Sequence, residues 1–219
     1  MSRDMRNAKR IPRDARTGKL NTRNTAYFLI VTDAKQTEQN YLMGFKKSLP
    51  CEEQHRISIK FSQENSQNKL VSECIRQANL NPKYQSHLWI LLDRDEVPAF
   101  DKILAEAKKN KIDVAWSNPC IEIWFSAYFE NIRTHTSAEQ AIDAFKELFR
   151  QRTKQPYKKN DEEIYQRLTQ FGNEAAAIKR AEQKRNEHKS VGITKPVDMV
   201  PATTVDTLIT EMRKIVMGE

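Results

Sequence analysis

The chain has 219 residues, 37 of them basic and 29 acidic, for a net charge of +8. That length holds one sizeable hydrophobic core, and no run approaches the roughly 20 apolar residues of a membrane span. A start of MSRDMRNAKRIPRD is basic without the apolar segment of a secretory signal, so the composition predicts a cytoplasmic protein with no membrane partner.

In chain order, residues 1–24 come first, carrying eight Lys/Arg against Asp4 and Asp14. This reads as a basic N-terminal arm suited to phosphate backbones, with Arg10, Arg13 and Arg16 as candidate contacts; the plainer alternative is a solubilising tail. Residues 26–31 (AYFLIV) form a continuous apolar run, as in a strand buried on both faces of a parallel sheet. A loop over 32–36 leads to a helix that Thr37 caps, with Tyr41, Leu42 and Phe45 on its apolar face. Residues 57–61 alternate as a second strand, 65–78 have helical spacing, 79–84 form a turn, and 87–92 form a third strand. A helix over 100–110 and a short strand over 113–116 complete a strand–helix alternation.

That order predicts an α/β fold: a mainly parallel central sheet flanked by helices, within a core domain spanning 25–130. Beyond Pro119 the pattern turns helical, at 121–129, 138–150, 164–171, 174–188 and 205–216. Residues 131–219 are therefore expected as a helical C-terminal extension packed on the core. Residues 151–160 read as a basic loop and 191–203 as a Pro-containing connection.

The three cysteines are widely spaced without a CxxC, which argues against disulfides and a zinc knuckle. The four histidines lack ligand spacing and the upstream arginine of HEPN-type ribonucleases. With five glycines and neither GxxxxGK[ST] nor GxGxxG, the chain should not hydrolyse ATP by itself.

The strongest chemical signal is LWILLDRDE at 88–96. Residues i and i+2 share a side of an extended chain. Asp93 and Asp95, where a buried strand leaves the sheet, could therefore grip one hard cation such as Mg2+ or Mn2+. Glu96 and Asp101 are candidates for outer positions. Asp33 ends the first strand and could face the same cation or act as a general acid/base; Asp also favours turns. Lys35, in the same loop, could approach a phosphate. Glu122 stands within an otherwise apolar helix, where a carboxylate is rare unless paired or metal-bound. Cys120 reads as a small core residue. Lys154, Tyr157, Lys158 and Lys159 interleave an aromatic with cations, a surface suited to stacking and phosphate contact.

Together FLIVTDAKQTEQNY (28–41), LWILLDRDE (88–96), WSNPCIEIWFSAYFE (116–130) and PATTVDTLITEM (201–212) resemble the RloB-like/AbiLii family, a Toprim-related group of bacterial and archaeal phage-defence loci. The resemblance implies a Toprim-like core that binds Mg2+ through a glutamate after the first strand and a later DxD, for phosphodiester chemistry. Asp93 and Asp95 match the DxD. The glutamate falls on Asp33 and its following glycine on Ala34, both departures from the pattern. Glu38 matches the TE of TExNY, and Glu122 the acid after SNPC, making both candidates for one acidic pocket. The implied function is a Mg2+-dependent nuclease effector acting on DNA or RNA. The alternatives are an inactive adaptor for a separately encoded ATPase, which the altered Asp33 would mark, and a nucleic-acid-binding module.

Overall fold

A computed structural model describes residues 26–32, 36–62, 69–83, 87–94, 97, 99–135 and 137–218. Five strands form one sheet: β1 (Phe28–Thr32), β2 (Ile57–Phe61), β3 (His87–Asp93), β4 (Asp113–Asn118) and β5 (Ala202–Thr203), in the order β2-β1-β3-β4-β5. The first four are parallel, and β5 pairs antiparallel with β4 through Ser117–Thr203 and Asn118–Ala202. The mixed α/β architecture with a mainly parallel sheet is as predicted. From β1 the chain goes to β2 on one side and later to β3 on the other. The crevice outside their carboxyl ends is therefore a topological switch point, where open α/β sheets place their ligands.

Both faces of the sheet are covered, which is why β1 and β3 are apolar on both sides. Leu29, Val31, Ile90, Leu92 and Trp116 pack against α2 (Leu70–Leu80) and α3 (Phe100–Lys109). Phe28, Ile30, Trp89, Leu91 and Ala115 meet the opposite layer. That layer comprises α1 (Thr37–Ser48), α4 (Glu122–Ala127), α5 (Ala138–Thr153), α6 (Ile164–Phe171), α7 (Glu174–Ser190) and α8 (Val205–Met217). Gly44 lets α1 and α6 approach closely, since a Cβ there would lie 2.5 Å from the Tyr165 Cβ.

Polar ties run through this layer. The Glu174 carboxylate accepts from Tyr128 at 3.1 Å, Tyr165 at 3.0 Å and the Arg213 Nε at 2.6 Å, and the Tyr41 and Tyr128 hydroxyls lie 2.9 Å apart. Arg185 of α7 grips Asp206 in the first turn of α8 with two bonds of 2.6 and 2.7 Å and also donates to the Thr203 carbonyl of β5. Arg56 donates to Ala26, Ile215 and Val216 carbonyls, tying the entry of β1 to the end of α8.

Several expected boundaries are corrected. Thr37 is the first helical residue rather than the cap, and its hydroxyl donates to Lys159 O at 3.0 Å; Gln36 holds the cap position with no side-chain capping bond. The described part of the second helix runs from Leu70 to Leu80, and residues 63–68 lie outside the described residues. β4 reaches Asn118, two residues past the predicted end, because β5 extends its pairing. The connection over 191–203 contains this unpredicted strand and a 3₁₀ turn at Pro196–Asp198. The basic loop begins later than expected, since α5 continues to Thr153 before Lys154 turns left-handed at φ 61°. Among the described residues no helix is long and apolar enough to cross a membrane.

Candidate functional site

Alternation along β3 sends Trp89 and Leu91 to the α1/α4 layer, and Asp93, two residues on, continues that side at the carboxyl end of the strand. The end of β4 and the two residues after it, Ser117–Cys120, determine what Asp93 meets. The Ser117 hydroxyl lies 3.1 Å from that of Thr203, and the Asn118 amide donates to the Pro196 and Val197 carbonyls at 3.3 and 3.1 Å. So held, this segment leads into α4 beside β3, and the Ile121 N–H donates to Asp93 Oδ2 at 3.0 Å. The other oxygen, Oδ1, is buried and has no hydrogen-bond partner. A buried carboxylate oxygen without a donor is costly in a folded protein unless something else satisfies it.

Two further carboxylates share this corner. Glu38, in the first turn of α1, is 8% exposed, and Glu122, the first residue of α4, is 2% exposed. Burial first, then the charges of Glu38 and Glu122, push the Asp93 carboxyl well above the usual carboxylate range, against the opposing pull of the Ile121 N–H. Glu122, a carboxylate expected to be paired or metal-bound, has a partner in Tyr157, whose hydroxyl donates to its Oε1 at 2.8 Å. Tyr157 is itself corrected from a surface stacking residue to a buried one, because its ring packs 4.7 Å from Phe145 and 5.8 Å from Phe149. Its hydroxyl is held protonated by burial and by the neighbouring Glu122.

Lys154, Lys158 and Lys159 are exposed around the buried Tyr157. Their loop is fastened to the site at two points, through Tyr157 to Glu122 and through the Lys159 carbonyl to Thr37. Cys120 is buried, and burial with Glu122 and Asp93 nearby keeps its thiol protonated. Asp101 is exposed on α3. Asp33, Lys35, Asp95 and Glu96 lie outside the described residues, as do Arg10, Arg13 and Arg16.

Of the sequence candidates, then, Asp93 and Glu122 meet in space, with Glu38 beside them. The chemistry available is that of hard oxygen ligands and proton acceptors in a buried, low-dielectric corner. Among the described residues no three His, Cys, Asp or Glu side chains are arranged to hold a metal ion. The fit of a divalent cation therefore rests on the all-oxygen donor set and the unpartnered Asp93 Oδ1. What sequence reasoning missed is Tyr157 as the partner of Glu122. The only signal was a Tyr within a polar loop, and 35 residues separate the pair.

No match was found among curated proteins or among solved structures. The sequence profile of the RloB-like protein family matches residues 28–212, which include Glu38, Asp93, the Ser117–Cys120 segment, Glu122 and Tyr157, and the chain belongs to that family.

Proposed function

We propose that this chain is a Mg2+-dependent nuclease effector of Toprim type, cleaving phosphodiester bonds of DNA or RNA in phage defence. The observation that carries the reading is the buried acidic set at the carboxyl end of β3: Asp93 with an unpartnered Oδ1, crowded by Glu38 and Glu122. Carboxylates crowded this closely, with Asp93 within hydrogen-bond reach of Glu38, are suited to a cation, which offsets their mutual repulsion directly. Asp93 would hold the ion, with Asp95 and Asp33 as the other candidate ligands; Mn2+ is the natural substitute. When bound, the ion neutralises developing phosphate charge and acidifies a coordinated water.

The rest is the work of side chains. The Ile121 N–H occupies Oδ2 of Asp93 and so leaves Oδ1 as the oxygen to meet an ion. Tyr157 occupies Oε1 of Glu122 and orients that carboxylate as a candidate proton acceptor. Lys154, Lys158 and Lys159, with Arg10, Arg13, Arg16 and Lys35, are the candidate backbone contacts, and they would confer affinity without sequence choice.

The test is cleavage of DNA and tRNA pools with Mg2+, Mn2+ or EDTA. Wild type should cleave only with metal, and Asp93→Ala should abolish cleavage while leaving the fold intact; unchanged cleavage by Asp93→Ala ends the assignment. A second reading is favoured by Asp33, which stands where the resemblance expects glutamate: a degenerate site in an adaptor for a separately encoded ATPase. Activity raised by Asp33→Glu would point to a weakened enzyme. Silence of both forms would point to the adaptor.

A further inference from the structure

Lys158 lies between the two fastenings of its loop. On one side Tyr157 reaches Glu122 at 2.8 Å, and on the other the Lys159 carbonyl accepts from Thr37 at 3.0 Å. Thr37 opens α1 one residue before Glu38, so both fastenings end on elements that carry the acidic set. The anchor is well packed, with Tyr157 only 8% exposed against Phe145 and Phe149. Lys158 and Lys159 are exposed, and among the described residues neither side chain makes an ion pair. Exposed cations on a loop fastened to the elements that carry the acidic set, yet unpaired among the described residues, are available to a ligand that is itself anionic.

We infer that Tyr157 and Thr37 form a latch that seats Lys158 and Lys159 at the mouth of the acidic site, where they bind the phosphate backbone of a polynucleotide. Tyr157 is thus a positioning residue: its ring and hydroxyl fix the loop, and the lysines contact the phosphates. The nuclease reading supplies only the choice of ligand, and binding can be measured where no cleavage occurs.

The experiment is fluorescence anisotropy in EDTA across a salt series, with labelled 30-nucleotide DNA and RNA of one sequence as separate probes and the full chain as the protein. Lys158→Ala/Lys159→Ala should bind about tenfold more weakly, and its salt slope should be shallower by about 1.4–1.8, at roughly 0.7–0.9 per phosphate contact. The control is Lys108→Ala/Lys109→Ala, which removes the same charge from the end of α3, on the face of the sheet opposite α1 and α4; it should leave both quantities near wild type. Tyr157→Ala, with folding checked by thermal melting, should weaken binding with both lysines present, and Tyr157→Phe, which keeps the packed ring, should restore most of it. Weakening with one probe only would assign the site to that nucleic acid. Wild-type affinity and slope in Lys158→Ala/Lys159→Ala, or an equal loss in the α3 control, would overturn the inference; wild-type binding by folded Tyr157→Ala would overturn the latch. Loss of binding here together with absent cleavage in every metal would contradict the nuclease reading alone.

Discussion

Replacing Glu174 with Ala is the sharpest test of how the helical layer is held. The carboxylate accepts from two tyrosine hydroxyls and from Arg213, and its side chain is 13% exposed against 26% for Arg213. A hydrogen bond to a charged group contributes about 1.5–3 kcal/mol, and a buried donor left without a partner costs about 1–3 kcal/mol. Tyr128, 1% exposed, cannot turn to water, whereas Arg213 can, so the ion pair itself adds at most about 1 kcal/mol. The contributions share one acceptor and do not add fully, giving an expected loss of about 3–5 kcal/mol. At roughly 2–4 °C per kcal/mol for a chain of this size, Tm should fall by about 6–20 °C in a calorimetric or circular dichroism melt. Tyr128→Phe alone should cost about 1–1.5 kcal/mol, with a coupling to Glu174→Ala of about 1 kcal/mol or more. A Tm drop under about 2 °C for Glu174→Ala, or zero coupling in the cycle, would refute the network as a determinant of stability.

Alkaline pH probes the same cluster. Burial raises the Tyr41 and Tyr128 hydroxyls well above their ordinary value and pushes Tyr165 up to about 12. A folded-state pKa above the unfolded one means stability present below pH ~10. It should be lost as pH rises from there towards 12, with the tyrosinate absorbance of these residues appearing only on unfolding; early native-state ionisation would contradict this. Gly44→Ala should destabilise by about 1–3 kcal/mol in denaturant titration through overpacking against Tyr165, and an unchanged midpoint would show that α1 and α6 can separate freely.

The fold was legible wherever burial wrote itself into local pattern. β1 and β3 are apolar runs because both sheet faces are covered, and α3 has clear helical spacing because only one face is. β5 was not legible: two residues, Ala202 and Thr203, carry no periodicity, and their pairing depends on the edge left by β4. Within the site, Asp93 was legible because a carboxylate ending a buried strand is anomalous by itself, and Glu122 because it interrupts an apolar segment. Tyr157 was misread because its polar neighbours are solvated while its own ring is not. Thr37 was misread because its hydroxyl serves a carbonyl 122 residues away rather than its own helix.

The central claim is that the Asp93 corner holds a divalent cation, and the most direct measurement is thermal unfolding of wild type and Asp93→Asn across a Mg2+ titration. Ligand binding to the folded state stabilises by RT ln(1 + [L]/Kd), about 2.7 kcal/mol at 100 times Kd. Wild type should therefore climb with Mg2+ by roughly 5–11 °C at that excess. Asp93→Asn should start higher in EDTA, because the crowded charge is gone, and should not respond to the metal. Parallel responses of the two proteins to Mg2+, or no response of wild type, would contradict the account.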